Sequence, residues 1–146
     1  MGQQQLLLIV VGVVIVGIAV VVGIQMFGQQ SASSNLDAVI SDLQNIGAKA
    51  HQYYTKPTGM GGGGRDFTTD LNASDQTTLA VLTMKATSSG YENDNGLYTI
   101  TNVTQDVLTL QGVGVEDGDG DGTNCTVTLV VDGTDASSDS LSVSNR

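Results

Sequence analysis

The residues best suited to chemistry lie in the run Glu116-Asp117-Gly118-Asp119-Gly120-Asp121-Gly122-Thr123-Asn124. Three aspartates at alternate positions followed by glycine match the opening of a calcium loop, D-x-D-x-D-G. Alternate carboxylates in a tight, glycine-rich turn converge on one point, where their mutual repulsion favours a cation. Asp117, Asp119 and Asp121 would supply carboxylates and Thr123 a carbonyl, with calcium the expected ion. The motif is incomplete: Thr128 stands at the twelfth position in place of a bidentate glutamate, and strand-like sequence flanks the loop. An acidic, solvated hairpin turn is the alternative reading.

Other reactive side chains stand alone. His51, the single histidine, lies beside Tyr53 and Tyr54 on a helical pattern, where it reads as a half-exposed packing residue. General base catalysis would need partners within reach, and none is visible in its sequence neighbourhood. Cys125 is the only cysteine. It opens an apolar run, reads as a small core residue and allows neither an intrachain disulfide nor a C-x-x-C-H haem attachment. No nucleophile-elbow glycine pattern surrounds any serine. Asn72, Asn102 and Asn124 each begin an N-x-[ST] triplet, a weak signal in a chain rich in serine and threonine. Nothing here assembles a catalytic centre, so the sequence reads as a structural protein rather than an enzyme.

Two kinds of element frame these residues. From Leu6 to Phe27 the chain runs LLLIVVGVVIVGIAVVVGIQMF, and no charged residue precedes Asp37. At about 1.5 Å per residue such a helix rises about 33 Å, enough for a hydrocarbon core of about 30 Å. Apolar residues occur on every side, so lipid or protein must surround it. A cleaved secretory signal is shorter, follows a basic stretch and ends in a small-residue cleavage site. This run is therefore read as retained.

After Gly28–Asn35 the period changes. Leu36, Val39, Ile40, Leu43, Ile46, Ala50, Tyr53 and Tyr54 form one stripe of an amphipathic helix, for which Ser34 or Asn35 could serve as a cap. Pro57 stops it. The division expected is a long helix over 1–56, apolar over 1–28 and amphipathic over 29–56, then a β-rich head over 57–146. Thr58–Gly64 reads as a flexible loop, and Leu79–Lys85 as a strand or a short helix. Strands are expected over Gly96–Val103, Val107–Val113, Cys125–Val131 and Leu141–Val143, joined by turns at Asn102–Asp106 and Gly114–Asn124. Consecutive strands with short connections imply an antiparallel meander, with the helical stripe covering one face. The fold class is α+β.

All fifteen acids and five bases fall from Asp37 onward, for a net charge of −10. Such a surface repels nucleic acid and anionic headgroups, so no nucleic-acid partner is expected.

A wholly apolar N-terminal helix that continues as an amphipathic helix against a small antiparallel sheet resembles the type IV pilin family. GQQQLLLIVVGVVIVGIAVVVGI with SDLQNIGAKAHQYYTKPTGMGGGG is similar, more narrowly, to pilin-like proteins of the Bacteroidetes and related bacteria. The resemblance covers roughly residues 2 to 66. It implies the pilin-like fold and a major subunit of an extracellular filament, with apolar helices bundled inside and sheets facing outward. It also implies an inner-membrane stage and assembly machinery comprising an ATPase, a membrane platform and a prepilin peptidase. The family carries an early glutamate that neutralises a neighbour's amine, whereas here Gln3, Gln4 and Gln5 occupy that stretch. Either a leader lies outside this sequence, or glutamine hydrogen bonds and packing set the register. A minor pseudopilin of a secretion machine and a monomeric membrane-anchored binding protein are the alternative functions.

Overall fold

The computed structural model describes residues 2–117 and 122–144. Helix α1 runs without a break from Gly2 to Thr55. It does not restart at Ser34 or Asn35. It also continues through Gly12, Gly17 and Gly23, although glycine costs about 1 kcal/mol relative to alanine within a helix. The first half projects from the head: from Gly2 to Ser31 no residue is buried. From Ala32 onward the helix is gripped. Ala32, Val39, Leu43, Ile46, Gly47, Ala50, Tyr53 and Tyr54 are buried, a stripe at alternating three- and four-residue spacing.

That stripe lies on a five-stranded antiparallel sheet in the order β1-β2-β3-β4-β5, formed by Tyr91–Asn93, Gly96–Val103, Val107–Gly114, Thr126–Asp132 and Ser140–Ser144. The chain is thus α+β, one long helix on a meander. Side chains alternate across the sheet. Tyr98, Ile100, Leu108, Leu110, Val127, Leu129 and Val131 point into the core under the helix. On the opposite face the pairings Thr99↔Gln111, Gln111↔Thr128 and Thr128↔Ser142 make a polar row across four strands. One side of the sheet is dry and the other wet, which pins the register, since a one-residue slip would exchange them. Under the helix, a Cβ on Gly112 would lie 2.8 Å from Val39 Cγ1 and 3.1 Å from the Tyr98 ring, so glycine lets the helix seat closely there.

Strand β1 was not anticipated from the sequence. Asn93 accepts N–H bonds from Asn95 and Gly96 and so builds the turn that pairs β1 with β2. The ambiguous Leu79–Lys85 stretch is helical. A 3-10 turn over Gln76–Leu79 leads into a short helix, α2, over Ala80–Thr83.

The largest departure concerns Thr58–Gly64, expected to be a flexible loop. Thr58–Met60 is a 3-10 turn, and Gly62 and Gly63 are buried. The last carbonyls of a helix lack intrahelical donors. Here the glycine run folds back over the end of α1 and supplies them. Gly63 N–H donates to the Tyr53 carbonyl at 2.9 Å, Gly64 N–H to Lys56 at 2.9 Å and Arg65 N–H to Tyr54 at 2.7 Å. A Cβ on Gly63 would collide with the Asp66 carbonyl and lie 2.7 Å from Tyr53 Cε1. The glycines are needed for this close approach, and the ordering cost they carry is offset by capping.

This geometry distinguishes two neighbouring glycines. Gly63→Ala should lower unfolding free energy by about 2 kcal/mol through overpacking. Gly59→Ala, whose Cβ would meet nothing within 4 Å, should stay within about 0.5 kcal/mol of the unmutated chain. Chemical denaturation measures both, and equal effects would show that the loop does not clamp the helix end.

Candidate functional site

Two regions merit consideration as functional: the acidic loop between β3 and β4, and the exposed half of α1. Around the loop, Gly114 N–H donates to the Cys125 carbonyl at 2.8 Å, and Cys125 N–H to Glu116 at 3.2 Å. Asn124 Nδ2 donates to the Gly114 carbonyl at 2.9 Å, so this sequon asparagine is held by its own amide. Asp117 Oδ2 accepts the Gly122 N–H at 2.7 Å. The loop therefore closes at its base, with Asp117 and Thr123 on its two arms. Asp119 and Asp121 lie outside the described residues. Among the described residues no three acids, histidines or cysteines converge as a metal site would require. Oxygen donors at the loop suit a hard cation such as calcium.

Cys125 is buried, as expected of a core residue, and burial raises its thiol pKa. Its Sγ lies 3.6 Å from Asn35 Oδ1. His51 does more than pack, because its Nε2 sits 2.7 Å from Asp139 Oδ2. Asp139 also accepts the Asp132 N–H through its other oxygen. His51 thereby ties the helix to the β4–β5 connection.

Sequence reasoning missed the polar groups that orient the helix on the sheet. Asp42, which lies off the apolar stripe of α1, accepts three hydrogen bonds: from Tyr98 Oη at 2.7 Å, Asn95 Nδ2 at 2.8 Å and Asn93 Nδ2 at 2.9 Å. Asn35, read as a possible cap, donates to the Asn95 carbonyl at 2.9 Å and accepts the Val115 N–H at 3.1 Å. Further along, Tyr53 donates to Asp70 and Tyr54 to Asp106, at 2.9 and 2.6 Å. Burial and the neighbouring carboxylate both raise the Tyr53 and Tyr98 hydroxyl pKa values, so each stays a donor. The only sequence signal was the Asn93-Asp94-Asn95-Gly96 turn, whose asparagines face a helix far away along the chain.

The exposed half of α1 has the larger claim to function. Leu8 is 75% exposed, Met26 66% and Phe27 78%, and the apolar side chains between Leu6 and Phe27 lie open all round the helix. No carboxylate or ammonium interrupts them. This is one helix long and apolar enough to cross a membrane. None of its residues from Gly2 to Ser31 is buried against the head. Isolated large apolar residues on a surface need no explanation, but a continuous cylinder of them marks a surface that is buried elsewhere. Comparison with protein-family models, curated proteins and solved structures finds no match.

Two experiments probe these regions. Desolvation disfavours ionised Asp42, but the bonds from Asn95, Asn93 and Tyr98 outweigh it and hold the carboxyl below its ordinary value of 3.8. A depressed folded pKa gives stability that is present above the unfolded value and lost as pH falls through the folded one. Asp42→Ala, which strands the buried Tyr98 hydroxyl, should cost about 2–3 kcal/mol at neutral pH. The difference should shrink in acid, as denaturation at pH 7 and below pH 4 would reveal. At the loop, the calcium reading predicts a higher melting temperature in millimolar calcium than in chelator, with affinity of roughly 10⁻⁴–10⁻³ M. Asp119→Asn with Asp121→Asn should erase that difference, and equal melting without mutation leaves the acidic-turn reading.

Proposed function

We propose that the chain is a non-catalytic structural subunit of an extracellular filament like a type IV pilus, polymerising through the apolar half of α1. The observation that carries this reading is the all-round exposure of Leu6–Phe27 on a helix continuous with the head. A bare apolar cylinder in water is strongly unfavourable, at about 25 cal/mol per Å² exposed. Before assembly the inner membrane covers that surface, since a helix satisfies its own backbone groups in lipid. In the filament, the same surface of neighbouring copies replaces the lipid.

Continuity separates this role from a simple anchor. A tether needs only to hold its cargo near a membrane, and a break between span and head would serve it equally well. Here Gly28–Asn35 stays helical and leads directly into the gripped half. The direction of the apolar rod is therefore tied to the orientation of the head. Bundled rods would array the heads regularly, with the polar face of each sheet available to solvent. The head carries the whole charge excess, which keeps the filament exterior acidic and soluble. Assembly machinery in the membrane would extract each subunit.

The core of the bundle tolerates no unpaired charge. Val14→Asp should abolish filaments while leaving the head folded, because a carboxylate buried among apolar helices is expensive. A chain beginning near Ser33 should stay acidic, soluble and monomeric. Electron micrographs of sheared surface material and sedimentation of the shortened chain check these outcomes. Normal fibres from the Val14 variant would place this residue outside the core.

A further inference from the structure

The two flanks of the gripped half of α1 differ in character. On the side facing α2, a groove of about 330 Å³ is bordered by Lys49, Lys56, Val81 and Met84. In the sequence Lys85 follows Met84 and Met60 precedes Gly61, and both side chains are exposed. Two of the chain's five bases thus line one groove, and a third adjoins it in sequence, on a molecule with net charge −10. Among the described residues no carboxylate lines this groove. The nearby Asp42 and Asp70 are turned inward to Tyr98, Asn93, Asn95 and Tyr53.

The patch is also apolar. Met84 is 94% exposed, Met60 69% and Val81 45%. Met84 adopts φ of +63° at the end of α2, a left-handed conformation that is uncommon for residues other than glycine. An outward methionine suits a contact surface.

On the opposite flank, a second groove runs along Gln44, Ala48, His51, Asp139 and Leu141. Among the described residues no lysine or arginine lines it. Asp37, Gln44 and His51 recur at heptad spacing, so Asp37 shares this side of the helix. Asp132 ends β4 and Asp135 sits in the β4–β5 connection, and hydrogen bonds from Thr134 and Ser137 lower their pKa values and keep them charged. Leu141 supplies an exposed apolar side chain.

We infer that the Lys49–Lys56 flank of one copy, with Val81 and Met84 in the same groove and Lys85 next to Met84 in the chain, docks on the acidic β5 flank of the next copy. The partner is a second copy because the complementary charge and an apolar counterpart lie on this same chain, on the opposite side of α1. Two different patches on one molecule make a heterologous contact, which propagates into a helical array where the rotation does not close a ring. The contact rests on the filament reading and specifies how heads pack around the bundled rods. It also places the basic patch inside the array, leaving an acidic exterior.

Charge reversal tests the pairing in the full chain, with sheared filaments counted by electron microscopy. Lys49→Glu, Lys56→Glu and Lys85→Glu together should cut filament yield by about tenfold or more, since like charges then face each other. Asp37→Lys with Asp135→Lys should do the same. A chain carrying both sets should regain filaments, which also shows that the exposed substitutions do not prevent folding. Co-expressing the two single-set variants should restore filaments as mixed polymers. Unchanged yield from the lysine-reversed chain would overturn the pairing while leaving the filament reading in place. So would failure of the doubly reversed chain to recover although its subunits resist protease like the unmutated chain. A lack of filaments from the unmutated chain would overturn the filament reading and this contact with it.

Discussion

Everything in this molecule follows from holding one continuous helix by its C-terminal half alone. No residue of the free half is buried, so the burial that sets the rod's direction lies between Ala32 and Thr55. A grip confined to one end must resist both rotation about the helix axis and sliding along it. Apolar burial of Val39, Leu43, Ile46 and Ala50 supplies most of the attraction, but it is non-directional. Direction comes from polar contacts placed along the stripe. Asn35 and Asp42 engage the β1–β2 turn, His51 engages Asp139, and Tyr53 and Tyr54 engage Asp70 and Asp106. The glycine run then closes the helix end.

The choice of carboxylates as acceptors has a consequence for charge. Asp42, Asp70, Asp106 and Asp139 are all engaged by uncharged or histidine donors rather than by lysine or arginine. His51 with Asp139 is the only ion pair among the described residues. The lysines are therefore not consumed within the fold. Lys49, Lys56 and Lys85 stay at the surface, where an acidic molecule has few cations to present to an acidic neighbour. Hydrogen bonds from tyrosine and asparagine thus stabilise the head while the bases are left for contacts outside it.

The two faces of the sheet divide the labour in the same way. The face under α1 carries the aliphatic core, and the outer face carries the Thr99–Gln111–Thr128–Ser142 row. The outer face mixes this polar row with the half-buried Leu97, Val107, Val113 and Val130, whereas the rod is apolar all round. On the filament reading, rod and flanks do different work. The rod supplies strong, non-directional attraction, whereas the flanks supply register.

By itself the sequence determined the elements with a local period. The apolar run to Phe27, the stripe from Leu36 to Tyr54 and the alternating strands Gly96–Val103 and Val107–Val113 are each written in neighbouring residues. Hence the α+β meander under a long helix was legible before any coordinates. The tertiary structure decided what depends on residues far apart in the chain. Ser34 and Asn35 did not cap a second helix, because Asn35 meets Asn95 and Val115 across the fold. The glycines of Thr58–Gly64 did not make a loose loop, because the open carbonyls of Tyr53, Tyr54 and Lys56 needed donors. Asp42 lies off the apolar stripe, and nothing near it in the chain reveals that Tyr98, Asn93 and Asn95 arrive beside it. Strand β1 is too short to show a period and exists through its pairing with β2. Periodicity records which face of a segment is apolar. Hydrogen-bond partners are set by which faces meet, and that is settled only when the helix lies down on the sheet.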